Sequence, residues 1–423
     1  MGTSGSSGDC SGLSLPAALR TTVLRTTVCA ALRTRVCAAL LVGAALAGCS
    51  SATPAPPPTA SASAAPETRP APSAPVRAAC EVPLPDAWRA AFAAGEVRPP
   101  AGERAVLTEV GPKARWTVVQ LSGDRRRRAA LIQDGGAPRT LLAFADPVEH
   151  QLLSADFDGR WAAFAVLEGR TLDSPWTLRV WDEHTGRTRV LARSGGRPGP
   201  LPQPVVRAGT VFWAQGTGGG KATVYAAPAS PTPAPSSPAS SSGGAPRALH
   251  TGVLDAPFPA GDLLAWREAD ASGTATRLSA VSFATLRPAA LPAPLARLRN
   301  VRAPVSDGQT WAWVAGEQSP ALTVWRAGTA APSARVSGSP GADGVDQLRI
   351  SGELIAWRTP EAAYALDLRS SAYARITPQY GYAQASDGAL AVAHSRGDAK
   401  AAGSRPVVQV VRTDRLPGLP GCG

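Results

Sequence analysis

Short apolar stretches, each led in by a glycine and most carrying an aromatic residue, recur along the chain from about residue 111. They read "GPKARWTVVQL", "GRWAAFAVLEG", "GTVFWAQG", "GDLLAWREA", "GQTWAWVAG", "GELIAWRTP" and "GALAVAHS", beginning at Gly111, Gly159, Gly209, Gly261, Gly308, Gly352 and Gly388. The fifth residue after each glycine is Trp116, Phe164, Ala214, Trp266, Trp313, Trp357 or Ala393, with Trp213 one place early in the third unit. Recurrence of a residue as scarce as tryptophan at one position marks a structural repeat, because equivalent units bury equivalent faces on their neighbours. Further along each unit the pattern repeats as strand, polar turn, strand. "LRVWDEHTGRTRVL" from Leu178 and "AYALDLRSSAYARI" from Ala363 are the clearest cases, with Asp182 and Asp367 at the turn entry.

Intervals of 36 to 52 residues between the glycines match four-stranded propeller blades. The composition agrees, since 42 glycines and 41 prolines favour turns over long helices and eleven tryptophans supply core. The expectation is an all-β chain with a single β-propeller over 79–423, of seven blades, with six as the alternative count. Two segments interrupt the rhythm. "PDAWRAAFAAGE" places Trp88, Ala91, Phe92 and Gly95 at helical spacing, which predicts one short helix over 85–95 packed on the propeller, with Trp88 in the core. The Ser-, Pro- and Ala-rich run from Ala227 to Pro246 predicts a disordered insert between the outer strands of the third blade. Within the second unit, "SADFDGRWAAF" followed by "VWDEHTGRTRVL" resembles the TolB-like and WD-type propeller repeat. The resemblance implies Gly159 in a turn, Trp161 and Phe164 on an inner strand, and a Thr185-Gly186 turn joining outer strands.

Ahead of the repeats the pattern changes character. Val36 to Ala47 is an unbroken apolar run of twelve, preceded by Arg33 and Arg35, which matches the charged and hydrophobic regions of an export signal and is too short to span a bilayer. Leu46, Ala47, Gly48 and Cys49 at its end resemble the bacterial lipobox. That resemblance implies cleavage before Cys49, a signal over 1–48, and a diacylglyceryl group on the Cys49 thiol, so that acyl chains hold the protein on the membrane. The long stretch before the apolar run suggests a start site downstream of Met1. After Cys49, a segment reaching residue 78 is dominated by Ser, Ala, Pro and Thr and cannot bury enough apolar surface to fold. It reads as a tether over 49–78, reaching up to roughly 90 Å as partly extended polyproline helix.

Six cysteines then divide. Cys10, Cys29 and Cys37 leave with the signal and Cys49 is acylated, so Cys80 and Cys422 remain to pair in an oxidising compartment, with two free thiols as the alternative. The net charge of +12 is spread along the chain; its densest run, Arg125 to Arg128, reads as a solvated hairpin tip, because no aromatic residues interleave with it as nucleic-acid binding requires. No nucleic-acid partner is expected.

Sites of chemistry are sparse. His150, His184, His250 and His394 fall in different units without metal-ligand spacing, and there is no Gly-x-Ser-x-Gly elbow or phosphate loop, so no catalytic residue, metal or cofactor is assigned. "DFDG" at Asp156 to Gly159 reads as a turn rather than a calcium loop, and "RGD" at Arg396 to Asp398 as a chance tripeptide. Two functions remain. One is a monomeric, lipid-anchored extracytoplasmic lipoprotein whose propeller binds a protein, peptide or glycan without catalysis; the alternative is an extracytoplasmic hydrolase or lyase on the same scaffold. A quinone-dependent dehydrogenase is a distant third. The alternative requires two or three carboxylates, or a histidine, converging near the axis on one face. Cys49→Ala is expected to abolish incorporation of labelled fatty acid; equal labelling of wild type and variant would refute acylation at Cys49.

Overall fold

Each recurring glycine ends an innermost strand and turns the chain into the apolar, aromatic-bearing strand beside it. At Gly159, φ is 105°, a conformation open to glycine, and Asp158 braces the turn by accepting the Arg160 and Trp161 N–H groups at 3.0 and 2.8 Å. The computed structural model describes residues 77–195, 197–230, 245–270, 272–273, 275–316, 321–337, 345–397 and 404–422. Residues 1–76, including the expected signal, Cys49 and most of the tether, lie outside the described residues.

Among the described residues the strands form seven sheets, each built of three or four consecutive antiparallel strands, so the protein is a seven-bladed β-propeller. The innermost strands are Arg104–Val110, His150–Phe157, Val205–Arg207, Phe258–Ala260, Arg302–Ser306, Asp346–Ser351 and Gly381–Ser386 for blades 1 to 7. The repeat position falls on the second strand of every blade, and Trp116, Phe164, Trp213, Trp266, Trp313 and Trp357 are all buried between neighbouring sheets. Trp161 and Phe164 lie on an inner strand, as the resemblance implied: their strand, Trp161–Glu168, is second from the axis because the glycine turn follows the innermost strand.

Closure uses the segment before blade 1. Arg77–Ala78 adds a parallel strand to the outer edge of blade 5, and Cys80–Glu81 does the same on blade 6. The expected tether thus ends earlier than residue 78, since Arg77 and Ala78 pair with Ala334 and Arg335. The chain then forms the helix Asp86–Ala94, close to the 85–95 expected, which buries Trp88 and Phe92 one turn apart. Beyond it, Gly95 to Val97 lie along the outer strand of blade 7, with Val97 N–H donating to Val408 O at 2.8 Å and Val410 N–H to Gly95 O at 2.9 Å. Blade 7 has three strands of its own, so this segment supplies the missing fourth and covers an edge left exposed otherwise. Gly95 is required there: a Cβ would stand 2.0 Å from Val410 O.

The innermost strand of blade 1 packs on blade 7 as expected for Arg104 to Val110. Ala105, Leu107, Val119 and Leu121 meet Ala389, Ala391, Ala393 and Val408 in one apolar layer. The Cys80–Cys422 disulfide is present but lies elsewhere than at this seam. It joins the segment on the edge of blade 6 to the C-terminal tail, which crosses the same blade: Trp88 Nε1 donates to Pro417 O at 2.8 Å, and Leu419 N–H donates to Asp367 at 3.0 Å. Asp367 is fully buried; burial works to raise its pKa, but bonds from Arg369 and the Leu419 N–H hold it below the usual carboxylate range. The insert of blade 3 also begins later than Ala227, because the strand Lys221–Pro228 continues through it and Ala227 and Ala229 are buried against blade 2. Residues 231–244 lie outside the described residues.

Replacing both Cys80 and Cys422 by serine is expected to lower stability by about 2–4 kcal/mol, seen as an earlier urea midpoint in non-reducing buffer with an unchanged far-ultraviolet spectrum. A midpoint equal to that of the oxidised wild type would show that the bridge contributes nothing to the fold.

Candidate functional site at the propeller axis

Innermost strands serve two masters, since one face packs on the neighbouring blade while the ends border the axis. In blades 1, 2, 5 and 6 the ladder between first and second strands breaks at a bulge: between Leu107 and Glu109, Leu152 and Ser154, Arg302 and Val305, and Asp346 and Arg349. Ala303 and Gln347, inside two of these bulges, have φ of 46° and 52°. A bulge re-aims the residues that follow it. The first residues back in register are Glu109, Ser154, Val305 and Arg349, so Glu109 and Arg349 hold equivalent positions on blades 1 and 6.

Polar side chains of five consecutive blades lie there in two bonded groups, one on blades 6, 7 and 1 and the other on blades 2 and 3. Arg349 donates through Nε to Gln384 Oε1 of blade 7 and through Nη1 to Leu348 O at 2.9 Å. Gln384, itself buried, donates to Thr108 O of blade 1 at 3.0 Å. Glu109 follows, its Oε1 accepting from the Val110 N–H at 3.1 Å. On blade 2, Asp156 accepts from the Phe157 N–H at 2.9 Å and from the Val206 N–H of blade 3 at 2.7 Å. Arg207 of blade 3 stands 3.9 Å from Asp156, with its guanidinium 5.8 Å from the Phe283 ring centroid. The matching positions on blades 4 and 5 are Phe258 and Val305, which carry no charge.

The electrostatics follow from this enclosure. Glu109 is half-buried, and desolvation pushes its carboxyl up to about 7. Arg349 and the Val110 N–H pull the other way without overcoming the burial, and the charge on Asp156 adds to the rise. Asp156 is likewise raised, first by burial, against the opposing pull of Arg207 and two backbone N–H groups. The site therefore offers a carboxyl poised near neutrality, a second carboxyl and two guanidinium groups. Such a set binds polar and anionic groups and holds a proton available near pH 7.

None of these residues was singled out by sequence except Asp156, read as part of a turn. That reading holds for Asp158, which braces the turn and also accepts the Gly209 N–H of blade 3 at 3.0 Å. A usable signal existed: Glu109, Asp156, Arg207 and Arg349 each stand two or three places before their unit's recurring glycine. The histidines do not fall in four different units: His150, on the innermost strand, and His184, in the turn between the outer strands, both belong to blade 2, while His250 and His394 lie on blades 3 and 7. His250 alone meets a buried acid, its Nε2 donating at 2.6 Å to Glu268, which also accepts from Trp266 Nε1 at 3.0 Å and from Arg277 at 2.7 Å. Arg125 and Arg126 occupy an exposed turn, whereas Arg127 and Arg128 belong to a strand and Arg128 pairs with Glu103 at 2.8 Å. Arg396 pairs with Glu96 at 2.8 Å, and Asp398 lies outside the described residues.

No protein-family model matches the chain, and no curated protein matches it in sequence. Among solved structures, one of two prolyl endopeptidases studied for inter-domain dynamics is similar over 80% of this chain and 50% of its own, with 12% identity and a TM-score of 0.51. TolB from Acinetobacter baumannii matches over 64% of this chain and 62% of its own, at 14% identity and a TM-score of 0.38. The propeller domain of the Trilobed protease from Pyrococcus furiosus matches over 69% and 89%, at 9% identity and a TM-score of 0.45. The chain spans about half the length of the endopeptidase, and identities this low show the propeller fold alone.

Because the folded Glu109 carboxyl holds its proton above the pH at which the unfolded chain releases it, stability falls as pH rises from about 4.5 through about 7. Glu109→Gln is accordingly expected to be more stable than wild type at pH 8 and to lose that advantage at pH 4, read from urea midpoints. A difference that does not change with pH would place the proton elsewhere.

Proposed function

We propose that this is a lipid-anchored, extracytoplasmic propeller that binds its ligand, a protein, peptide or glycan, at the end of the axis bordered by Glu109, Asp156, Arg207, Arg349 and Gln384. The observation that carries the reading is the gathering of charged side chains from four blades, with Gln384 of a fifth, on the innermost strands: Arg349 bonded to Gln384, Gln384 to Thr108 O beside Glu109, and Asp156 to the Val206 N–H and near Arg207. Propeller scaffolds place binding groups on loops and strand ends because the sheets themselves are committed to packing. Anchoring is supported by the lipobox-like Leu46 to Cys49 and the tether behind it, and the Cys80–Cys422 bridge suits an oxidising compartment.

A second reading, a hydrolase or lyase, is favoured by Glu109 specifically. A carboxyl near 7 beside a second carboxyl matches the needs of general acid–base chemistry at neutral pH. It ranks lower because both carboxyls already accept backbone N–H groups that fix them in place.

A photo-crosslinking residue placed at Arg207 is expected to give a discrete adduct in intact envelopes, while the same residue at Arg335, on the outer strand of blade 5, gives none. Adducts at both positions alike, or at neither, would remove the axial end as the binding surface.

A further inference from the structure

We propose that the axial site recognises the carboxylate of an acidic sugar, with Arg349 as the group that takes the carboxylate and Glu109 and Asp156 as partners for the neighbouring hydroxyls. This rests on the reading of the axial end as the binding surface and names its ligand class.

The argument begins with Arg349. Two of its donors are tied down, Nε by Gln384 and Nη1 by Leu348 O, and Gln384 is itself fixed by Thr108 O. The guanidinium is therefore held in one orientation before any ligand arrives, which lowers the entropy lost on binding. Among the described residues no carboxylate lies within 4.0 Å of it, whereas Arg128, Arg277, Arg369 and Arg396 each have one at 2.7–2.8 Å. A partly buried guanidinium with a fixed orientation and a remaining donor edge fits a planar, singly charged oxyanion.

Phosphate fits less well. Asp156 and Glu109 flank the site, and a dianion would meet their repulsion as well as the attraction of Arg349 and Arg207. A single carboxylate is compatible with them, particularly below pH 7, where Glu109 carries a proton. The same two carboxyls supply acceptors on the adjacent blades 1 and 2. Sugar hydroxyls on either side of a carboxylate require such acceptors; a peptide C-terminus brings a single N–H next to its carboxylate. The uncharged Phe258 and Val305 at the equivalent positions of blades 4 and 5 confine the charged contacts to one arc of the ring.

Binding should be tighter at pH 6 than at pH 8. The charged groups facing Glu109 are Arg349 from blade 6 and Asp156 from blade 2, and Asp156 stands beside Arg207. Ionisation of Glu109 neutralises the attraction of Arg349 for a ligand carboxylate, while the ligand remains charged throughout this range.

The test is titration calorimetry of the full chain with tetrameric galacturonate and tetrameric glucuronate, each beside its methyl ester, at pH 6 and pH 8. At least one acid is expected to bind, several-fold more tightly at pH 6, with the ester bound at least tenfold more weakly. Arg349→Gln is expected to weaken binding by about tenfold or more, and Arg349→Lys to recover only part of it, with both variants melting as wild type does. Glu109→Gln is expected to bind with the pH dependence gone. Failure of both acids to bind, ester binding equal to acid binding, or unchanged affinity in folded Arg349→Gln would overturn the proposal, as would tighter binding of a peptide through its free C-terminus. If these fail while the crosslink at position 207 is obtained, the axial binding surface stands and its acidic-sugar ligand does not.

Discussion

The pairing of Gly95–Val97 with the outer strand of blade 7 is the contact on which the rest of the molecule depends. Seven sheets side by side form a ring only if the last is held to the first, and a three-stranded last blade offers too little surface and one open edge. The chain solves both problems by laying the segment that leads into blade 1 along the outside of blade 7. The innermost strand of blade 1 is then delivered directly against Ala389, Ala391 and Ala393. Small residues on the blade 7 side let the sheets approach closely. Ala393, which interrupts the aromatic repeat, is part of that fit rather than a decayed position.

Upstream of this contact the same segment runs along the outer edges of blades 5 and 6, so it meets blades 5, 6 and 7 in the order in which they follow one another in the chain. Two short parallel strands carry few hydrogen bonds, and the disulfide and the Asp367 to Leu419 contact secure the edge of blade 6 where helix, segment and C-terminal tail meet. The bridge thus fixes the first strands among the described residues and the C-terminal tail to one blade. Closure also shapes the axial site. Thr108 O reaches Gln384, and Gln384 reaches Arg349, only because blade 1 is seated on blade 7.

Much of this was legible in sequence because repeats impose period. The glycine turns, the tryptophans that separate the sheets and the helix around Trp88 and Phe92 each follow from local conformational or burial rules acting within one unit. Blade count followed from the same period. The axial residues were harder to see for a physical reason. Glu109, Asp156, Arg207 and Arg349 come from different blades, and their proximity is created by ring closure, which no local pattern encodes. Bulges compound the difficulty, since they shift the side-chain alternation by one and disguise which residues border the axis. The role of Gly95 was hidden similarly: at helical spacing it reads as the end of an apolar face, yet its lack of a side chain serves a strand more than 300 residues away.

The energetics of Glu109 set it apart from the other enclosed acids. Asp367 is held below the normal carboxylate range by Arg369 and backbone N–H groups, and Glu268 by Trp266 Nε1, Arg277 and His250, in each case against its burial, and both tie elements together. Glu109 gains no such donor within ion-pair reach, so burial dominates and its charged form is disfavoured. At neutral pH it costs stability that glutamine or an apolar residue at that place would spare. Its equivalent on blade 5 is Val305, which shows that the fold tolerates an apolar residue after the bulge. Glu109 therefore occupies a position that the packing of the ring leaves free, with a group that weakens the fold and stands close enough to Arg349 to feel its charge.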